Sequence, residues 1–255
     1  MDPSLTPDAG TTAESASNHY QNLFHPRSIA VVGASSNPLK PGGRVLKSIQ
    51  DHGYRGELWA VNPKAREIFG VTCYPIIAAL PQAPDLALVA IPAAGVLTAL
   101  QDLARLKSGA VMVLSAGFGE KDVAGKALEQ ELCRVADSAG IALIGPNCSG
   151  FLTPSYKGKF AGIIPRLPGC AVDFISGSGA MVDYLMEGAE ARGLSFGTVV
   201  NLGNSVQMGV EDLVELYDEN YGPQQAKILL LYLESLNKPA KLLIHARSLA
   251  RKGCA

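Results

Sequence analysis

Residues 28–50 read SIAVVGASSNPLKPGGRVLKSIQ: an uninterrupted apolar run, a Gly/Ser/Lys loop, then a helix-forming segment. An apolar run without polar alternation belongs to a strand covered on both faces, as in parallel sheets flanked by helices. The loop sets backbone N–H groups and a cation at the end of that strand, an arrangement suited to a phosphate-bearing ligand. It departs from the dinucleotide fingerprint, which needs G-x-G-x-x-G in a tight turn and an acid after the second strand.

The same rhythm continues along the chain. Strands are expected at Ser28–Gly33, Leu58–Asn62, Leu86–Pro92, Ala110–Ser115 and Ile141–Gly145, and helices at Gly43–His52, Gly95–Lys107 and Lys121–Ala139. Strands alternating with helices predict a parallel sheet with crossover connections, here a five-stranded Rossmann-like sheet. A second series follows, with strands at Ala171–Ser176, Phe196–Leu202 and Ile228–Leu233 and helices at Gly179–Arg192, Val210–Asn220 and Lys241–Lys252. Three βα units without a closing strand predict an incomplete sheet and a longer natural polypeptide. The expected division is a tail over 1–20, a first domain over 21–150, a Pro/Gly-rich connector over 151–169 and a second domain over 170–255.

Composition bounds the function. A net charge of −1 over 255 residues gives no whole-protein case for nucleic acid or membrane surfaces. Five cysteines, an odd set without C-x-x-C, suggest a reducing compartment, the cytoplasm, and no structural metal. The N-terminus lacks the basic start and apolar stretch of a secretion signal, and no apolar run approaches bilayer length.

In parallel α/β sheets ligands bind beyond the C-terminal strand ends, so the residues there are the candidates. After the first strand come Gly33, Ala34, Ser35 and, further on, Lys40. Asn62 and Lys64 follow the second, Ile91, Pro92 and Ala93 close the third, Ser115, Ala116 and Gly117 the fourth, and Asn147 follows the fifth. An NAD site asks for an acid where Asn62 and Lys64 stand, so a nicotinamide oxidoreductase is the weaker reading. Lys40 and Lys64 together favour a ligand richer in phosphate, although either lysine taken singly reads better as a solvated loop residue.

The stretches SIAVVGASSNPLKPGGRVLKSI, GELWAVNPK, DLALVAIPA, AVMVLSAGFGE and GIALIGPNCSG resemble, in order, signatures of the CoA-binding domain of nucleoside-diphosphate-forming acyl-CoA synthetases. That group includes ADP-forming acetyl-CoA synthetase and, more distantly, the α subunit of succinyl-CoA synthetase. The resemblance covers residues 21–255. It implies a Rossmann-like CoA-binding domain followed by an incomplete flavodoxin-like parallel α/β domain of the ligase-CoA type. The implied ligand is coenzyme A: Gly33, Ala34 and Ser35 line its nucleotide end and Lys40 its phosphates. Ile91, Pro92, Ala93, Ser115, Ala116 and Gly117 follow adenine and pantetheine, and Asn147 lies near the thiol.

In the second domain Ser176-Gly177-Ser178-Gly179 resembles the family's S-Q-S-G phosphate element, with glycine in place of glutamine. Read alone, it is a strand-to-helix junction whose serines cap the helix and whose free N–H groups suit an anion. Tyr232-Leu233-Glu234 resembles the family's Y-L-E strand end, which implies that Glu234 partners the phosphoryl-carrying histidine. None of the four histidines lies in the expected Gly-rich loop, and the setting of His245, AKLLIHARSLA, reads as a helix face. Cys148 reads as a small buried residue, not a nucleophile. The family reaction implies a carboxylic acid or acyl-CoA as substrate, with ATP, ADP and Mg handled by an ATP-grasp domain or β subunit outside this chain. The rival is a non-catalytic CoA-binding regulatory module, for example one fused to an acetyltransferase.

Overall fold

The computed structural model describes residues 13–164, 172–223 and 225–255. The first sheet contains β1 (Ser28–Val32), β2 (Glu57–Val61), β3 (Glu67–Ile68), β4 (Val71–Tyr74), β5 (Leu86–Val89), β6 (Ala110–Val113) and β7 (Ala142–Ile144), in the order β3-β4-β2-β1-β5-β6-β7. Every neighbouring pair is parallel except the β3–β4 hairpin. Counted in chain order, the six parallel strands read 3-2-1-4-5-6, the doubly wound arrangement with its switch point between β1 and β5.

Alternate side chains of β1 face opposite sides, which sorts the core into two layers. Ile29 and Val31 pack with Val45, Leu46 and Ile49 of α2 (Pro41–Asp51) and with Leu23 and Phe24 of α1 (Ala13–Phe24). Ala30 and Val32 face Val96, Leu100 and Leu103 of α3 (Ala93–Leu106) and Leu132 and Ala136 of α4 (Val123–Ala139). Each such large aliphatic side chain contributes about 1.5–3 kcal/mol when fully buried.

The second sheet holds β8 (Gly150–Leu152), β9 (Lys157–Lys159), β10 (Val172–Ser176), β11 (Phe196–Asn201) and β12 (Leu229–Tyr232), in the order β12-β10-β11-β8-β9. β10 lies parallel to both β11 and β12, so these three strands run 2-1-3, the start of the flavodoxin order, and the switch point falls between β10 and β12. α5 (Gly179–Glu190), α6 (Val210–Glu219) and α7 (Pro239–Arg251) complete the series.

Three expectations are corrected. The tail over 1–20 is helical from Ala13, and Tyr20 is buried beside Leu23 and Phe24; residues 1–12 lie outside the described residues. The first sheet has six parallel strands, not five, because the four-residue β4 joins β2 through the short β3 turn. The connector over 151–169 carries β8 and β9, which extend the second sheet in antiparallel fashion; residues 165–169 lie outside the described residues. The glycines that suggest a linker are here required by close approach. A Cβ on Gly150 would fall 2.0 Å from the Gly158 carbonyl oxygen.

Candidate functional site

The loops after β1 and β5 meet at the first switch point. Gly33 has φ +84°, and a Cβ there would stand 2.5 Å from Ile91 Cγ2, so only glycine lets the two loops touch. Gly42, in the first turn of α2, approaches the Gly33 carbonyl just as closely, which seats the helix start on the loop. Gly117 and Ala93 also face each other, with 3.6 Å between the Ala93 Cβ and a Cβ built on Gly117. The residues expected after β1, β5 and β6 therefore share one rim.

Several of their polar atoms act as struts within that rim. Asn62 donates from Nδ2 to the Ala34 carbonyl at 2.7 Å and accepts the Lys64 N–H at 2.8 Å, tying the β1 and β2 ends together. Ser35 Oγ accepts the Asn37 N–H at 3.1 Å, and Ser115 Oγ donates to the Ile91 carbonyl. The Gly117 and Phe118 amides point to Glu120 Oε1 at 2.5 and 3.1 Å. Lys40, the N-cap residue of α2, and Lys64 are exposed, and among the described residues neither forms an ion pair. No acidic residue stands in the first turn of α2.

A cavity of about 680 Å³ lies where the two sheets meet and gathers Asn147, Gly177, Ser178, Gly179 and Glu234 from the sequence expectations. Ser176 sits beneath it, fully buried, its Oγ donating to the Ser178 carbonyl at 2.8 Å. Ser178 caps α5 by accepting the Met181 N–H at 3.4 Å. Glu234 stands across the second switch point, its Cβ 3.6 Å from where a Cβ on Gly177 would lie. Ordinary van der Waals spacing there means that Gly177 is not a steric necessity.

Asn201 organises this wall. Its Oδ1 accepts the Ser149 N–H at 2.6 Å, and its Nδ2 lies 3.4 Å from the Ser176 carbonyl and 3.3 Å from that of Gly177. With those carbonyls turned to Asn201, the N–H groups of Gly179 and Ala180 are left for a ligand; among the described residues no partner takes them. The opposite wall carries Glu120 and Glu129, bridged by Asn204 Nδ2 at 2.6 and 2.7 Å, while Asn204 Oδ1 accepts from Asn147 at 3.3 Å. Burial opposes ionisation of Glu120, but the amides of Gly117 and Phe118 and the Asn204 side chain outweigh it and hold its carboxyl below the ordinary range.

The remaining groups are accounted for. Cys148 is buried against the Val113 carbonyl at 3.3 Å, and burial pushes its thiol up to about 12, so it is no thiolate nucleophile. His245 lies on α7 with Nδ1 2.8 Å from Asp218 and Nε2 3.4 Å from Glu215, away from the cavity lining. Among the described residues no cluster of His, Cys, Asp and Glu is placed to hold a metal, and no helix is long and apolar enough to cross a membrane. Sequence reasoning missed Glu120, Glu129 and Ser149 as cavity residues, and it singled out Asn201-Leu202-Gly203-Asn204 as resembling the family's S-x-G-N turn without placing Asn201 and Asn204 in the site. The signals were GFGE directly after a strand and the N-L-G-N turn.

Residues 27–154 match the family model described as the CoA binding domain, and residues 169–254 match the succinyl-CoA ligase like flavodoxin domain. The chain belongs to the CoA-binding-domain family. Over 234 residues, 91% of the chain and 33% of the relative, it is 34% identical to acetate–CoA ligase [ADP-forming] I of Archaeoglobus fulgidus. It is 31% identical to acetate–CoA ligase [ADP-forming] I subunit alpha of Pyrococcus furiosus, covering 90% of the chain and 50% of that subunit. The dinucleotide-forming acetyl-coenzyme A synthetase 1 of Ca. Korarchaeum cryptofilum, solved in complex with phosphate and ADP, superposes with a TM-score of 0.84 at 31% identity. That match covers 91% of this chain and 50% of the other. The chain is thus homologous to the α-subunit portion of ADP-forming acetyl-CoA synthetases while spanning between a third and a half of their length.

Proposed function

We propose that this chain is the CoA-binding portion of an ADP-forming acid–CoA ligase, which converts a carboxylic acid, CoA and ATP into acyl-CoA, ADP and phosphate. The observations that carry the reading are two: exposed lysines, Lys40 and Lys64, at the strand ends of the first sheet, and a cavity between the sheets lined by the free amides of Gly179 and Ala180 and by the Glu234 carboxylate. The rim fits coenzyme A. Lys40 and Lys64 meet its phosphates as unpaired ammonium groups, and the Gly33 and Gly117 loops allow close approach of the backbone. Bound there, CoA supplies the thiol for acyl transfer.

This chain's own residues then have separable tasks. The Gly179 and Ala180 amides and the Ser178 hydroxyl hold phosphate at the start of α5, where the helix dipole favours an anion. Glu234 accepts an N–H from an imidazole presented by another segment, fixing its tautomer and orientation. ATP, ADP and Mg belong to an ATP-grasp domain or β subunit that completes the enzyme, and the assembly works in the cytoplasm. The relatives' ligase and subunit-alpha descriptions support this division of labour, and the match to the ligase flavodoxin domain favours it over a stand-alone regulatory module. Adding an ATP-grasp β subunit of an ADP-forming relative to the chain tests the partnership by co-purification. Failure to associate with any such subunit would count against it.

A further inference from the structure

The start of α5 is short of donors for the ligand assigned to it. The Ser178 amide is taken by Ser176 Oγ at 3.0 Å and the Met181 amide by Ser178 Oγ, while Ser176 spends its proton on the Ser178 carbonyl. Gly177 brings no side chain. The cavity wall adds four carboxylates, Glu120, Glu129, Asp183 and Glu234, against the single ammonium of Lys126, so an anion there depends on neutral donors.

Among the described residues, one hydroxyl in that wall has no partner. Ser149 Oγ is buried and makes no hydrogen bond; among the described residues the other buried side-chain polar atom in that condition is Tyr217 Oη, outside the cavity. Ser149 is 8% exposed, and its backbone is held to Asn201, the same side chain that fixes the Ser176 and Gly177 carbonyls. A Cβ on Gly179 would lie 3.8 Å from Ser149 Oγ. The unsatisfied hydroxyl therefore stands against the first residue of α5, beside the two free amides. Native interiors rarely leave such a group unpaired unless a ligand or solvent completes it.

We propose that Ser149 is a phosphate-binding residue whose hydroxyl joins the Gly179 and Ala180 amides in holding inorganic phosphate. This inference rests on the phosphate reading of the cavity given above. It assigns to the residue after Cys148 a donor that the glycine at 177 does not supply. Ser149 reaches phosphate from the first domain's side of the cavity, so the ligand is gripped by both halves of the chain.

The test is calorimetric titration of the chain with inorganic phosphate, using the parent, Ser149→Ala and Gly179→Pro. The last replaces a free N–H by a ring at the first helical position, where proline is accommodated, and the preceding Ser178 already has extended backbone. Ser149→Ala is expected to weaken phosphate binding about ten-fold or more, with CoA affinity unchanged and no fall in melting temperature in phosphate-free buffer. If Ser149→Ala binds phosphate like the parent while Gly179→Pro abolishes binding, the anion site stands and the role of Ser149 is overturned. If the parent itself binds no phosphate, both the role and the reading beneath it fall.

Discussion

At the scale of single residues, the site depends on a few side chains that hold backbone in place. Asn201 is buried to 1% exposure and serves three backbone groups on two segments. Asn201→Ala should cost about 2–4 kcal/mol, because buried groups left without partners carry most of their desolvation penalty; a lowered urea midpoint with an unchanged slope would register it. Lys40 is the opposite case, exposed and unpaired. Lys40→Ala should leave the melting temperature within error and weaken CoA binding about 10- to 100-fold, the range of a charge-assisted contact. Equal CoA affinity in the variant would remove Lys40 from the site.

At the scale of elements, the strands legible in the sequence were those with mainly apolar runs: β1, β2, β5, β6 and β7 of the first sheet and β10, β11 and β12 of the second. β4, with the sequence Val71-Thr72-Cys73-Tyr74, is too short to show a pattern, and β8 and β9 were masked by glycines that serve close strand contact. α1 escaped because its large apolar residues, Tyr20, Leu23 and Phe24, all fall in its C-terminal half, after a Ser/Ala-rich start in the sequence. The strand-to-helix junction at 176–179 was legible because serine, glycine and helix start are all local. Glu120, Glu129, Ser149 and Asn204 come from separate elements, so only the fold brings them together.

α6 and α7 are joined by a ladder in which Lys238 and Lys241 meet Asp212, and Lys252 and His245 meet Asp218. Burial opposes ionisation of Asp212 and Asp218, but their lysine partners, with His245 at Asp218, outweigh it and depress both carboxyls. Their contribution is present above the ordinary carboxylate range of about 4 and is lost as pH falls through their lower folded values. Asp173 has the opposite sign. Burial raises it to about 6, so its protonated form is favoured in the fold and stability declines as pH rises from about 4 toward that value. Asp173→Asn should flatten the decline, while Asp218→Asn should reduce acid sensitivity; thermal melts from pH 3 to 7 separate the two. Identical pH profiles for the parent and both variants would refute the assignments.

At the scale of the whole molecule, the loops after β6 and β7 of the first sheet and those after β10, β11 and β12 of the second line one cavity, and the turn at 201–204 ties the two sides together. Gly203 has φ +59°, and a Cβ there would stand 2.3 Å from the Pro146 carbonyl oxygen, while the Asn204 N–H bonds that same oxygen at 2.9 Å. Gly203→Ala should therefore cost about 2–4 kcal/mol and open the cavity by pushing the second sheet from the first. Chemical denaturation would give the loss, and hydrogen exchange at residues 145–149 would locate it.

The most direct measurement is calorimetric titration of the chain with CoA and, in parallel, with NAD. A rim with lysines where a nicotinamide site places an acid should bind CoA at one site per chain, less tightly as salt rises, and give no heat with NAD. Saturable NAD binding, or no CoA binding by folded protein, would contradict it.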